Sequence, residues 1–528
     1  SADDRKTWLM AYDSTKQLDT STGQVPIARF VHDELIHFSN ADLNRSIPSL
    51  MDGLKPSQRK ILFGCLKRNL RSEVKVAQLA GYVSEHAAYH HGEASLTATI
   101  VGMAQNFIGS NNINLLKPIG QFGSRLNGGK DAASPRYIFT CMERIVETIF
   151  RKEDASILTY LDDDGMVVEP EYYMPILPMI AINGAVGIGT GFSSNIPPFN
   201  PEEIVALLKA RLTNVLPTLE GRQLNPWWFG FSGTQIRTDD STWTVRGLYE
   251  FVEATHQVRI NELPVGVWTM DYKEFLDKTA AAEKLEDRHG LIGFEDHYND
   301  IEAKFVLQFS EEAWDDYYAD RASFEKRFKM INSFKTTNMH CFDFDGTIRK
   351  FDTIGDIMEQ YFARRIIAYD ERKEALLGAL EAQLVELRAK LKFVRAILAD
   401  ELVIARRSDE NIVEQLLALE LPALSDLAAA ESVKGYDYLL RMRIDRIKQS
   451  AVDDLEREAA AAEAAYEELE AKSPEQLWLE DLAEFEEAWA DYAVERRAEY
   501  AAVIEDGGVA AAAAGGSAAP KKKIKRAV

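Results

Sequence analysis

Cysteine is scarce. The chain of 528 residues holds three, Cys65, Cys141 and Cys341, far apart and with no Cys-x-x-Cys pair. That spacing argues against a disulfide framework and against a zinc site, and fits a reducing compartment. Long apolar runs are missing as well: nothing reaches the roughly 18 residues that a membrane span requires. The most apolar segment, Pro175 to Ile182, is far too short and reads as buried core. The sequence opens at Ser1 with neither an initiator methionine nor a secretory signal, which predicts a processed or truncated chain. Positive charge is in deficit too, with 61 Lys and Arg against 84 Asp and Glu and a net charge of −23. Taken as a whole, that balance counts against a nucleic-acid binder.

The distribution of charge reverses that inference locally. Between Asn44 and Tyr137 stand twelve Lys and Arg residues against five Asp and Glu, while acidity gathers after about Asp453. A basic region in an acidic protein points to a focused polyanion site, with a solvated charged face as the bland alternative. The length predicts roughly two to four folding units. Up to about Asn200 the texture is mixed α/β, with apolar residues at helical spacing over Ile27–Ser39 and Ser57–Asn69. Pro56 is placed to open the second of these at its first turn. From about Pro201 to Lys350 alternating stretches such as Gln257–Leu263 and Lys304–Phe309 predict strands, with Trp243 and Trp268 as core candidates. After Phe351 the pattern is helical over Ile354 to about Ala405 and again over about Val452 to Val503. These arms flank a more varied block, Asn411–Gln449, and suggest an antiparallel coiled coil with a small head. Gly507–Ala519 is Ala/Gly-rich and expected to be flexible, and Lys521–Arg526 is a short basic cluster. That cluster reads equally as an import signal, a DNA-touching tail or a solvated terminus.

Chemistry-bearing residues concentrate between Tyr89 and Tyr137: YHHGE at Tyr89–Glu93, QNF at Gln105–Phe107, QFGSR at Gln121–Arg125, GGKD at Gly128–Asp131 and SPRY at Ser134–Tyr137. Two histidines beside a glutamate first suggest a metal site. Adjacent residues of an extended stretch point to opposite sides, however, and no His-Glu-x-x-His spacing is present, so no metal ligand is assigned. His, Arg, Lys and Gly-rich backbone make better sense as phosphate and base contacts. The Gly-rich loop Gly184–Gly191 lacks the strand–helix unit and ribose-binding acid of a dinucleotide fingerprint. Asp343–Thr347 matches the Asp-x-Asp-Gly-Thr nucleophile motif of dehalogenase-like phosphatases, but a helical arm follows where a doubly wound sheet is needed, so it reads as a β-turn. Asp162–Gly165 likewise reads as a solvated turn.

Four motifs in order carry a resemblance: Asp52–Lys60 (DGLKPSQRK), YHHGE, SPRY and Gly184–Gly191 (GAVGIGTG), with weaker echoes at Glu262–Pro264, Lys472–Pro474 and Leu477–Trp478. From about Val25 to Arg497 the chain resembles the breakage-reunion region of type IIA DNA topoisomerases, of the eukaryotic or large-DNA-virus kind. The resemblance implies a multidomain α/β plus α fold. Residues 1–176 would form an N-terminal segment and a winged-helix DNA-cleavage domain, 177–350 a β-rich α/β tower domain, 351–505 a long antiparallel coiled coil with a helical C-terminal dimer gate, and 506–528 a flexible tail. It implies Tyr137 as the nucleophile, Arg136 beside it at the scissile phosphate, His91 and Arg45 as further contributors, and Lys55, Arg59, Tyr89, His90 and Lys130 as DNA contacts. Ile188 would wedge between base pairs, an apolar device that trades a few kcal/mol of unstacking for added contacts. Members of this family usually carry Glu where this chain has Val186.

The implied chemistry is coherent. A phenol has a reference pKa of about 10 and needs activation at neutral pH. Attack on a phosphodiester gives a 5′-phosphotyrosine and a free 3′-hydroxyl, and because the phosphoester bond is retained in the link, the reverse attack reseals the strand. An arginine beside it offsets charge growing on the non-bridging oxygens. The resemblance further implies Mg2+, held by a TOPRIM module, and ATP, bound by an ATPase module. Both are expected outside this sequence, either in the same longer chain or on a separate polypeptide. The implied partners are double-stranded DNA and a second copy of the chain, since two tyrosines are needed to cut two strands, and no membrane. The implied location is the nucleus, or host cytoplasm and virion for a large DNA virus. A non-catalytic dimeric DNA clamp on the same fold is the competing reading.

Overall fold

The computed structural model describes residues 2–21, 23–424, 433–443 and 447–514. The basic cluster Lys521–Arg526 and parts of the block Asn411–Gln449 lie outside the described residues. The chain is a mixed α/β protein that divides into two compact units, one of residues 1–152, 158–365 and 479–528, the other of 153–157 and 366–478.

In the first unit, helical backbone runs from Ile27 to Ser46, longer than the apolar spacing predicts, with a π turn at Val31–Leu35 and an α-helix, α1, over Ile36–Ser46. Helix α1 buries Ile36, Ser39 and Leu43, one face at three- and four-residue spacing. It stops at Ile47, extended before Pro48, where a proline disfavours the helical conformation of its predecessor. Helix α2, Pro56–Arg68, starts where expected: Lys55 is extended, Pro56 sits in the first turn, and the Gln58 side chain accepts from the Lys55 amide at 2.9 Å. It ends on Asn69, whose φ of 50° is a left-handed C-terminal stop. Strand β1 (Val74–Lys75), helix α3 (Val76–His86) and helix α4 (Glu93–Ala104) follow, and β1 pairs with β2 (Phe139–Thr140). Strands β3 (Tyr160–Asp163) and β4 (Met166–Pro170) form one antiparallel hairpin, and β5 (Ala185–Ile188) and β6 (Ser193–Ile196) another.

The later strands of this unit form a four-stranded antiparallel sheet, from Leu291–Asp296 through Phe305–Phe309 and Gln257–Glu262 to Leu248–Val252, and a three-stranded one. Phe305, Phe309, Phe324, Phe328, Trp314 and Tyr272 fill the core against the larger sheet. Trp243 is core, as expected. Trp268 is not: it is half-buried, with its ring edge-on to Phe107 and close against Gly109 and Gly128, and it lines an open cavity. The Asp343–Thr347 motif forms the turn between strands Met339–Phe342 and Ile348–Phe351, which pair with each other in a two-stranded sheet. Asp345 accepts from the Thr347 amide and hydroxyl, so this acid closes a turn rather than waiting for a phosphate.

In the second unit, helix α5 (Ile354–Leu398, from Ile366 onward) packs against α6 (Gln449–Ala471). Arg388 meets Glu463 and Arg395 meets Glu456: seven residues forward on one helix is seven back on the other, so the two run antiparallel. Phe393, Val394, Leu416, Tyr436, Leu439 and Val452 lie in the core between them. The second helical arm is not continuous. It breaks at Lys472–Ser473, because Pro474 opens a new helix, α7 (Pro474–Ala514), and cannot continue the old one. Helix α7 also runs into the Ala/Gly-rich segment expected to be flexible, since alanine has the highest helix propensity. The rest of that segment lies outside the described residues.

Candidate nucleic-acid interface

Six of the residues singled out from sequence line one groove of about 1060 Å3: Arg45, Lys55, Tyr89, His90, His91 and Ile188. Its walls also include Pro56 and Ser57 at the start of α2 and Gly92 and Ser95 at the start of α4. Helix N-termini carry unsatisfied amides and partial positive charge, so two of them facing a basic groove favour phosphate. Lys55 is half-buried, has no carboxylate within 4.0 Å among the described residues, and burial pushes its ammonium below the ordinary lysine value. A phosphate would supply the missing counter-charge. His90 and His91 face different neighbours: Nε2 of His90 lies 2.9 Å from Asp163 at the tip of the β3–β4 hairpin, and the His91 ring meets Tyr89 edge-on. Tyr89 itself is mostly buried.

Arg59 requires a correction. It is buried, with Nε and Nη2 on the two oxygens of buried Asp52 at 2.7 and 3.0 Å and Nη2 also on the Leu54 carbonyl. Asp52 in turn accepts from the Leu54 and Tyr173 amides. The guanidinium therefore holds the loop that presents Lys55 instead of reaching the groove. Lys60 lines the groove, but its ammonium is tied to the Ala87 carbonyl and Glu169.

Ile188 projects from the end of β5, 80 % exposed. The hairpin beneath it is mounted on α1. A Cβ on Gly187 would stand 2.1 Å from the Ser46 carbonyl oxygen, so only glycine lets the strand sit that close. Asp42 joins the mount to the groove: one carboxylate oxygen accepts from the Thr190 amide and hydroxyl, the other from Arg45 at 3.0 Å. Sequence reasoning misses both Asp42 and Thr190. The Asp42–Arg45 spacing on a helix is readable, but the partner 148 residues away is not.

Tyr137, Arg136 and Lys130 are exposed and are not part of the groove's lining. Tyr137, 71 % exposed, closes a turn whose amide bonds to the Ser134 carbonyl. On either side of it the chain is clamped: the first two amides of α3, Val76 and Ala77, bond to the carbonyls of Ile138 and Pro135. Those amides have no partner within their own helix, so the turn satisfies them while being held by them. Phe139 then pairs with Ile119 in both directions. The phenol and the Arg136 guanidinium thus stand free on a backbone fixed at both ends. Among the described residues no group of three or more His, Cys, Asp or Glu side chains comes together that could hold a metal ion. No described helix is long and apolar enough to cross a membrane.

Residues 45–483 match the family model for the A subunit of DNA gyrase/topoisomerase IV. The chain belongs to the DNA topoisomerase II family. Residues 1–43 match a second model, the C-terminal associated domain of TOPRIM, where sequence reading gives only an N-terminal segment. Asp42 therefore comes from one matched region and both its partners, Arg45 and Thr190, from the topoisomerase match. DNA topoisomerase 2 of Arabidopsis thaliana is 42% identical over 518 residues, covering 90% of this chain and 34% of the relative. DNA topoisomerase 2 of Acanthamoeba polyphaga mimivirus is 35% identical, covering 92% of this chain and 43% of the relative. The chain thus spans well under half the length of these topoisomerases. The crystal structure of the DNA-binding, cleavage and re-ligation domain of Plasmodium falciparum topoisomerase II superposes with a TM-score of 0.84 at 36% identity, covering 95% of this chain and 69% of that one.

Proposed function

We propose that this chain is the DNA-cleaving and religating core of an ATP-dependent type II DNA topoisomerase, with Tyr137 as its nucleophile. The observation that carries the proposal is an exposed Tyr–Arg pair on a doubly clamped turn in a member of this family. The Tyr137 oxygen attacks a backbone phosphorus in line. A bond forms between them, the phenolic proton is given up, and the bond to the 3′ oxygen breaks, with that oxygen leaving as a protonated hydroxyl. Religation runs the same steps backward. Arg136 offsets charge on the non-bridging oxygens, and Arg45 and His91 act from the groove side. Lys55, His90 and the starts of α2 and α4 hold the DNA backbone, Lys130 adds a contact, and Ile188 enters the stack.

On this reading Pro56–Pro170 is a winged-helix domain with the β3–β4 hairpin as its wing, the two larger sheets belong to a tower, and α5 with α6 is a coiled coil leading to a dimer gate. The antiparallel pairing of Arg388 and Arg395 with Glu463 and Glu456 supports the last of these. The working form is a homodimer on double-stranded DNA, joined by the TOPRIM and ATPase portion. It acts in the nucleus or, for a large DNA virus, in host cytoplasm or virion. Mg2+ and ATP belong on this reading to that other portion, and no step above is routed through either.

The test is a covalent-complex assay on end-labelled linear duplex DNA, with the TOPRIM portion and Mg2+ supplied. A 5′-linked adduct with wild type, absent with Tyr137→Phe, is expected. DNA binding and dimerisation without any adduct would leave a non-catalytic clamp instead.

A further inference from the structure

Strand β5 has two outward side chains. Gly187 is buried against Ser46 of α1, whereas Val186 is 64 % exposed and Ile188 80 %. Isolated surface apolar residues are ordinary. These two, however, are aligned on one strand face, and the opposite strand presents Asn195 and Ser193 at the same register. Alternate residues of a strand stand about 6.8 Å apart, which matches two base-pair steps of about 3.4 Å.

The hairpin is also built to bear load. On one side Gly187 and Thr190 fix it to Ser46 and Asp42. On the other, the Asn195 amide bonds to the Asn338 carbonyl, the Asn338 side chain to the Ser193 hydroxyl at 2.6 Å, and the His340 ring meets the Ser193 carbonyl at 3.0 Å. Ile188 lines the basic groove. Val186 lines an adjoining cavity of about 400 Å3 that shares Lys55, Gln58 and Gly102 with it. Lys55 lines both, so a phosphate backbone held by it would run past both prongs.

We propose that Val186 is a second apolar DNA contact, making the β5 edge a two-pronged wedge that engages base steps two apart. The proposal rests on the DNA-binding reading above. Neither side chain carries a donor or acceptor, so what the pair reads is deformability: it favours duplexes in which both steps are flexible pyrimidine–purine steps over duplexes in which one is stiff. This makes Val186 a specificity residue without a hydrogen bond to any base.

The experiment uses the full chain and two short duplexes labelled at both ends for energy transfer. One carries TA steps two base pairs apart, and the other has the second step replaced by a stiff A-tract. Affinity and bending are measured for wild type, Val186→Ala, Val186→Ile and Ile188→Ala. Val186→Ala is expected to bind the doubly flexible duplex about tenfold more weakly, in line with losing the burial of one branched side chain, and to lose its preference over the stiffened one. Val186→Ile should retain both, and since position 186 is exposed all variants should melt like wild type. If Val186→Ala keeps affinity and preference while Ile188→Ala loses bending, the second prong is wrong and the DNA-cleavage reading stands. If wild type neither binds nor bends either duplex, both fall.

Discussion

The carboxylate of Asp163 lies 2.9 Å from Nε2 of His90, so an acid from the β3–β4 turn occupies a group that faces the basic groove. Asp162 and Asp164 flank it, both exposed. Any phosphate that reaches His90 must displace this contact and approach three acids. Asp163→Asn is expected to tighten DNA binding by up to about fivefold at low salt, the range of an exposed ion pair, with the gain shrinking as salt rises. Anisotropy titrations at two ionic strengths measure it, and unchanged affinity would mean the hairpin tip does not compete.

Asp42 serves the wedge and Arg45 at once. Asp42→Ala should release both, lowering DNA cleavage by about thirtyfold for two lost hydrogen-bonding roles of about 1 kcal/mol each. Asp42→Asn keeps an oxygen for Thr190 but loses the charge that orients Arg45. Comparing DNA bending with adduct yield in the two variants separates the roles: Asp42→Asn should spare bending and reduce cleavage.

Arg59 and Lys55, four residues apart, should fail in different ways. Arg59→Ala leaves Asp52 buried without its partner, a loss of about 3–5 kcal/mol, and should appear first as a lower melting temperature. Lys55→Ala should leave melting unchanged, weaken binding to every DNA sequence alike, and flatten the salt dependence by about one unit of slope. Equal melting losses for both would contradict the placement of Arg59.

His340 is held below its ordinary imidazole value, chiefly by burial and then by the nearby Lys6 charge. The unfolded chain takes up this proton first as pH falls. The folding stability linked to His340 is therefore complete above about 6.5 and lost as pH drops through the folded value. Asp343 works in the opposite sense, because burial raises its carboxyl and the folded state protonates first. The expected signature is thus a difference: between about pH 7 and pH 5, wild type should lose more melting temperature than His340→Gln.

Local signals are legible where local physics decides the outcome. Pro56 starts α2, the alternation at Gln257–Glu262 is a strand, and the intact SPRY marks a turn that the structure places at the surface. Lys472–Ser473–Pro474 carries a second message besides its family motif, since a proline inside a helical arm is itself a break signal. Nothing set by distant chain can be read this way. Arg59 counts as a basic residue like its neighbours, and only the folded loop turns it onto Asp52. The Asp162–Gly165 turn is solvated, as its composition implies, yet its aim at His90, 73 residues away, has no trace in local sequence. The groove's residue types are visible in advance, but its mounting, Asp42 on Thr190 and Gly187 on Ser46, is not.

The clamp around Tyr137 bears on fidelity. On the cleavage reading proposed above, a DNA end joined to that tyrosine would hang from a peptide whose two flanking carbonyls, Pro135 and Ile138, are bonded to the same helix start. Were the broken ends to separate, the tether would have little slack of its own, so displacement would have to come from whole bodies moving rather than from the linkage swinging. The place of the break would then be stored in the backbone. As the bodies returned, the phosphorus would come back to the 3′-hydroxyl it left, and rejoining would be a homecoming instead of a search.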